Sequence, residues 1–425
     1  MNAALSGVIV LVALIGAPLF AVIAGAAMLG FVSNDIDLQT VAIELYRLTD
    51  TSVLLALPLF TFAGYLLSES NTSHRLVRVT QAFMGWMPGG LALVALLTCA
   101  LFTAFTGASG VTIVAIGAML LPALKEAGYG EKFSLGLVTT SGSLGLLLPP
   151  ALPLIIYGVV VQQMGIEGVT LEALFVAGIL PALLMVGALW AYSLWANRGQ
   201  GIPLKPFDLA EAKSALWEAR WELPLPFVVL GGIYSGTFVI SEAAAVTALY
   251  ALVVEVFVYR EIPLRKLPQI MRDAMVMVGG VLIIMGMALA FTNFLVDASV
   301  PEKLFELVKQ YIDSEITFLL VLNLLLLVLG CMLDIFAALI IMVPLLVPVA
   351  LGYGVDPLHL GIIFLANMQI GYFTPPVGMN LFIASIRFRK PIAELWGASF
   401  PFFLVLFAAV LVITYVPWFS LAFVR

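Results

Sequence analysis

The sequence predicts an all-α integral membrane protein, with about 11 transmembrane helices plus two re-entrant hairpins set in two structural repeats. Three observations predict it. Of 425 residues, 63% are hydrophobic and only 10% charged, a balance no soluble domain of this length shows. Runs such as Val8–Phe31, Leu174–Trp195 and Phe318–Met332 approach or reach the length that crosses a bilayer. Two apolar stretches are broken by double prolines at matched places, Pro149-Pro150 and Pro375-Pro376.

The spans read along the chain as 5–31, 53–68, 83–106, 133–160 (broken), 174–196, 224–237, 239–259, 271–296, 315–332, 357–385 (broken) and 397–422. The first has no basic n-region before it and no cleavage site after it, so it reads as a helix and not as a signal peptide. Residues 107–124 and 333–350 are too short to cross twice and too apolar for a free loop. Both are expected to be re-entrant hairpins, which need protein or a cavity around them. The loop 197–221 carries an amphipathic stretch from Asp208 to Trp221. It is expected to lie in the interface, with Leu209, Leu216, Trp217 and Trp221 toward lipid. That loop divides the chain into a first repeat at 1–196 and a second at 222–425.

The repeat rests on order and spacing. Pro122 to Pro149 and Pro348 to Pro375 are both 27 residues, with a Gly-Tyr-Gly between the prolines each time (Gly128–Gly130, Gly352–Gly354). Two interrupted segments in corresponding halves mark a secondary transporter's binding site, and inverted repeats are expected. The span count conflicts with inversion. The basic loops 197–221 (Arg198, Lys205, Lys213, Arg220) and 260–272 (Arg260, Arg265, Lys266, Arg272) both call for the cytoplasm. All spans counted, both hairpins enter from one side. Either one segment does not span, with 224–237 the suspect, or one basic loop departs from the rule.

The breaks have direct chemical consequences. Proline lacks the N–H that bonds the carbonyl four residues earlier. Pro149 and Pro150 would therefore free the carbonyls of Gly145 and Leu146, and Pro375 and Pro376 those of Gly371 and Tyr372. Inside a membrane such groups need a partner. A hard cation such as Na⁺ fits oxygen ligands. Thr140, Ser141, Ser143, Asn367 and Thr374 lie close enough in sequence to add more. Each half-helix after a break also presents free N–H groups to an anion. A structural kink is the alternative for a single break. The hairpin tips would carry Gly107-Ala-Ser109-Gly110-Val-Thr112 and Cys331-Met-Leu-Asp334. Asp334 is a candidate ion or substrate ligand, or the N-cap of the run after it, or both. Glu242 reads as a cap, Glu255 as interfacial, and His359 as packed or facing headgroups. Cys99 and Cys331 read as small buried apolar residues.

Other classes are excluded by what is missing. There is no Walker A sequence, His-Glu-x-x-His, Cys/His cluster or Gly-x-Ser-x-Gly elbow, so neither an ATPase nor an intramembrane enzyme is expected. The net charge of −6 sits in loops and implies no nucleic-acid partner. All 19 lysines and arginines fall at span ends or in loops, so a carboxylate substrate would rest on backbone N–H groups and hydroxyls.

Gly107–Gly117, Thr139–Tyr157, Gly231–Ala245, Gly330–Pro348 and Ile370–Phe382 resemble the large membrane subunit of tripartite ATP-independent periplasmic (TRAP) transporters. Gly16-Ala-Pro18 and Leu57-Pro58-Leu-Phe60 are similar too, and the resemblance covers nearly the whole chain. It implies a Na⁺-coupled importer of a small organic anion (a dicarboxylate, sialic acid or similar) in the bacterial inner membrane. The expected class is the elevator-type ion-transporter superfamily. The resemblance also implies a small four-helix membrane subunit, expected as a separate chain because no such segment precedes residue 5, and a soluble periplasmic binding protein. One Na⁺ site would use Ser109, Ser141, Gly142 and Gly145, with Leu146 from the carbonyl reading. The other would use Asp334, Asn367, Gly371 and Thr374, with Tyr372. Substrate would lie near Ser109, Ser143, Asn293, Asp334 and Asn380. The alternative is a stand-alone Na⁺-coupled anion transporter of the same superfamily.

Overall fold

Several helices start at a capping side chain, as at Thr170, Asp208, Asp334 and Asp356, and some stop at a glycine or an extended residue, as at Gly107 and Leu333. The structure is a computed structural model describing residues 7–9, 11–13, 15–34, 36–47, 52–198 and 206–424. Residues 5, 6, 10 and 14 of the expected first span, and Lys205, lie outside the described residues. The helices are α1 (Leu19–Ser33), α2 (Gln39–Arg47), α3 (Ala56–Glu69), α4 (Thr72–Met84) and α5 (Gly90–Thr106). Next come α6 (Ser109–Glu126), α7 (Glu131–Ser141), α8 (Leu152–Gln163), α9 (Leu171–Ala196) and α10 (Leu209–Glu218). After these come α11 (Pro224–Tyr234), α12 (Ile240–Val258, closing in a π turn), α13 (Leu267–Asp297), α14 (Val300–Tyr311) and α15 (Glu315–Met332). The last are α16 (Ile335–Gly352), α17 (Pro357–Gly371), α18 (Met379–Phe388) and α19 (Ile392–Tyr415). Among the described residues, eight helical stretches are long and apolar enough to cross a membrane, fewer than the expected count.

The hairpins are larger than the sequence suggests. Residues 107–124 do not fold back on themselves; they form the tip and most of the single helix α6, and 333–350 likewise belong to α16. Each is the second arm of a pair whose first arm, α5 or α15, had the look of a complete span. The tips are two-residue links. Gly107 closes α5 with φ +64°, and Ala108 is extended before α6. Leu333 and Asp334 are both extended between α15 and α16. The bases close on the Gly-Tyr-Gly tyrosines. Tyr353 stacks on Phe318 with ring centroids 4.3 Å apart and donates to the Ile312 carbonyl at 2.6 Å. Tyr129 stacks on Phe133 at 5.5 Å.

This pairing removes the topological conflict. The segment 131–163 runs from the base of the first hairpin, where Lys125 pairs with Glu131, through its break to Gln162–Ile166. There it meets Pro348 and Leu351 at the base of the second hairpin. The two bases thus sit at opposite ends of one broken helix. In the second unit, Lys390 just beyond α18 pairs with Glu131 at the first end. With α5 and α15 as hairpin arms, five apolar segments among the described residues separate the hairpins when the short helix at 224–234 is counted, an odd number.

Both expected broken helices are broken. The first is α7, a 3₁₀ turn over Leu144–Leu147, then α8; the second is α17 and α18. The Pro149-Pro150 and Pro375-Pro376 bonds are both cis. Two glycines let the hairpins close on the breaks. A methyl placed on Gly145 would lie 2.1 Å from the Ala100 carbonyl oxygen on α5, and one on Gly371 2.6 Å from Gly330 on α15.

One sequence expectation changes at the loops, that for Glu255. Helix α10 buries Ala212 and Ala215 toward α4, while Leu209 and Trp217 face outward. Glu255 is not interfacial but fully buried. His359 is packed, the first of its two expected settings: its Nε2 meets the Thr414 carbonyl at 3.1 Å and its Nδ1 the Ser420 hydroxyl at 2.5 Å. Glu242 is the cap it was read as, accepting from the Val239 N–H at 3.0 Å. Both cysteines are buried.

The close approach at the first break predicts the effect of one methyl. Gly145→Ala should cost about 1–3 kcal/mol, because the opposing atom is backbone and has no rotamer to change. Gly231→Ala, with nothing within 4 Å, should be neutral or gain about 0.5–1 kcal/mol. Thermal unfolding of the two purified variants side by side checks this; equal behaviour would refute the packing of α5 on the break.

Candidate functional site

Each hairpin tip meets a helix break, and the tips share one cavity. The cavity is about 590 Å³ and is lined by Gly107, Ser109, Leu146, Asp334, Tyr372 and Met379, among others. Its far lining is Tyr65, Ser68 and Glu69 at the end of α3, where Glu69 pairs with Lys266 of the basic loop. Its walls carry no lysine or arginine among the described residues.

The first tip reaches across to the second break. Ser109 is nearly buried and its Oγ donates to Asn380 Oδ1 at 2.8 Å. Asn380 is fully buried, its backbone N–H donates to the Tyr372 carbonyl at 2.8 Å, and its Nδ2 has no partner among the described residues. Ser143 does not face the cavity; its Oγ donates to the Gln369 carbonyl at 3.0 Å, bonding one broken helix to the other. On the first arm, Thr103 Oγ1 donates to the Gly142 carbonyl at 2.8 Å and meets Thr112 Oγ1 at 2.6 Å. Sequence reasoning passed over Thr103. Its signal is a hydroxyl one turn before the tip, on a mostly apolar arm whose other hydroxyls are Thr98 and Thr106.

Asp334 fills two roles at once. Its Oδ2 accepts from the Phe336 N–H at 3.0 Å, capping α16, and its Oδ1 accepts from the Tyr372 hydroxyl at 3.1 Å while the residue lines the cavity. Tyr372 Oη in turn accepts from the Ile335 N–H at 2.9 Å. Asn367 lies deeper. Its Nδ2 donates to Asn323 Oδ1 at 2.6 Å and to the Ile363 carbonyl at 2.9 Å, while its Oδ1 is buried without a partner. Asn323, on α15, is the second residue missed, a lone amide in an apolar helix. Thr374 and Ser141 bond back to the carbonyls of Ile370 and Val138. Such bonds use the hydroxyl hydrogen and leave oxygen lone pairs available.

Two expectations fail here. Three of the four carbonyls expected to be free are bonded: Gly145 accepts from Leu148, Gly371 from Thr374 and Tyr372 from Asn380, at 3.1, 2.9 and 2.8 Å. Local turns after each break supply these donors, which a count of lost helical bonds does not foresee. Asn293 is not with the tips. It lines a second cavity of about 700 Å³, with Arg47, Gln162 and Glu302, at the base of the second hairpin.

Four helices begin around the first cavity or against its wall, at Ser109, Leu152, Ile335 and Met379. Leu152 touches the first tip, where a methyl on Gly107 would lie 2.8 Å from its side chain. Helix N-termini present unpaired N–H groups and a partial positive charge. The arrangement can hold an anion without a side-chain cation.

The chain matches the family model described as "Tripartite ATP-independent periplasmic transporter, DctM component" over residues 5–419. It is 36% identical over 403 residues to the C4-dicarboxylate TRAP transporter large permease protein DctM of Rhodobacter capsulatus, covering 92% of this chain and 91% of that one. It is 32% identical over 391 residues to the sialic acid TRAP transporter large permease protein SiaM of Vibrio cholerae, covering 92% and 90%. A third relative is the isethionate TRAP transporter permease protein DctMQ of Oleidesulfovibrio alaskensis, 35% identical over 97% of this chain but only 65% of that protein. The fold is similar to the crystal structure of the YdaH transporter of Alcanivorax borkumensis, with a TM-score of 0.65, 15% identity and 90% and 88% coverage. With a helical membrane fold, both breaks met by hairpin tips, and a family match over nearly its whole length, the chain belongs to the TRAP transporters as their large membrane subunit.

Proposed function

We propose that this subunit imports a small organic anion, a dicarboxylate, a sialic acid or similar, with Na⁺ as the coupling ion. The supporting observation is the convergence of both tips and three helix N-termini on one cavity, with a fourth against its wall at Leu152, and no basic side chain among the lining residues. The N–H groups at those helix starts, with Ser109 and Tyr372, suit the anion. Oxygen ligands suit Na⁺. The unpartnered Asn367 Oδ1, the Asp334 carboxylate and the second lone pairs of the Gly371, Tyr372 and Thr374 oxygens form one candidate set. Ser109, Ser141, Gly142, Gly145 and Leu146 form the other. Ser143 and Asn380 lie behind the substrate and hold the two breaks in register.

The proposed motion is an elevator. The bonds Ser109–Asn380 and Ser143–Gln369 tie hairpins and broken helices into one body, which would move against a frame of α1–α4 and α10–α13. The units 1–196 and 222–425 are read as inverted repeats joined through 197–221. The cavity lies toward the basic-loop end, which the positive-inside rule places in the cytoplasm. We infer a bacterial inner-membrane location, a small membrane subunit and a periplasmic binding protein as partners. The DctMQ relative, longer than this chain, is consistent with a second membrane unit.

Reconstitution in liposomes under an inward Na⁺ gradient is the test. Uptake should require the small subunit and the binding protein and should vanish without Na⁺. Uptake by this chain alone would instead identify a stand-alone transporter. Asp334→Asn keeps a good N-cap, since the two residues cap about equally, but removes the charge. It should raise the Na⁺ concentration for half-maximal uptake about tenfold, roughly 1.4 kcal/mol, with little change in melting temperature. An unchanged Na⁺ response would reduce Asp334 to a cap. Ser109→Ala should raise the substrate KM several-fold while Asn293→Ala leaves it unchanged; the reverse pattern would move the substrate to the second cavity.

A further inference from the structure

Away from the hairpin tips, a buried charge cluster fastens α4 to the frame. Arg75 on α4 bonds Glu222, just before α11, through two nitrogens at 2.6 and 2.8 Å, and Glu261 at 2.5 and 3.1 Å. Glu255, in the π turn of α12, approaches the same guanidinium at 3.5 Å. Tyr259 covers the guanidinium face at 4.0 Å, and Thr72 donates to Glu222 at 2.5 Å. The side chains of Arg75, Glu222 and Glu255 are 3%, 4% and 0% exposed, and that of Glu261 18%.

The charges do not balance. Three carboxylates share one guanidinium, and among the described residues no other cation bonds any of them. Burial opposes the Arg75 charge, but Glu222 and Glu261 hold its pKa above the ordinary value. Burial would raise Glu261, yet Arg75 and the Asn71 N–H hold it below the ordinary carboxylate range. The remaining excess falls on Glu255. Its Oε1 is buried with no donor facing it, and its carboxyl lies within hydrogen-bond reach of Glu222. Arg75 Nη2 is spent on Glu222 at 2.6 Å and on Glu255 reaches only Oε2, at 3.5 Å, so no donor meets Glu255 Oε1, and two carboxyls in reach of each other there share a proton.

We propose that Glu255 binds a proton and donates it as a hydrogen bond to Glu222, so that the anchor of α4 is a proton-binding site. The other charged groups around it are committed elsewhere. Arg78 pairs with Glu211 and Glu218 on α10, and Lys266 with Glu69 on α3. Tyr250 on α12 and Tyr259 donate to the carbonyls of Trp221 and Glu218, and His74 on α4 is exposed. Losing the proton adds a net negative charge to a closed cluster.

Infrared spectroscopy of the complete transporter in lipid, in heavy water at neutral pH, tests this. The wild type should show a protonated-carboxyl carbonyl band that Glu255→Gln removes. A difference spectrum without that band would overturn the proposal. Glu261→Gln removes a negative charge at the most exposed edge of the cluster and gives an independent check. It should shift the loss of the band to lower pH, since the proton is then held less tightly; no shift, or a shift upward, would overturn the proposal even if the Glu255 variant fails to fold.

Discussion

The structure depends on one constraint: a helix broken inside a membrane must have its freed backbone groups met by protein, because no water is present to meet them. Each break here is met twice. The turn after it returns donors to the Gly145, Gly371 and Tyr372 carbonyls. A hairpin arm then seals it, with Thr103 bonding the Gly142 carbonyl and Gly330 lying against Gly371. The glycines at 145 and 371 permit an approach that a methyl would block. The hairpins follow from the same constraint, since a break needs a wall and a wall that reaches only to the middle must turn back.

The two units also depend on each other. Ser109 belongs to the first hairpin but bonds Asn380 after the second break. Ser143 and Gln369, which bond each other, stand 226 positions apart, the offset of the two double prolines. Residues in corresponding places relative to the two breaks therefore bond each other.

Much of this was legible in the sequence. The double prolines located both breaks, the glycine and aspartate runs located both tips, and Asp334 was legible as cap and cavity residue together. The extent of the hairpins was not, because α5 and α15 are as apolar as true spans and only their tip contacts distinguish them. Bonds that depend on turn geometry, such as Asn380 to the Tyr372 carbonyl, carry no sequence signal. Asn293 was placed by likeness to a family, and its neighbours are the base of a hairpin instead of its tip. Glu255 misled for a physical reason: near a helix end a glutamate usually finds water, and here Arg75 and Glu222 reach it first.

The cluster around Arg75 and the cavity at the tips divide the electrostatic work. Helix α4 carries the chain from α3 into the first hairpin, and its start is held by charge-assisted bonds at 2.5–2.8 Å. Such pairs are strong and costly to break. The cavity uses hydroxyls, amides, helix ends and one carboxylate already occupied as a cap. A site that binds and releases in every cycle cannot hold its ligand with a buried guanidinium without paying to separate them each time. On the proposed function, ion pairs around α4 and neutral donors at the tips would keep the joint firm and the site reversible.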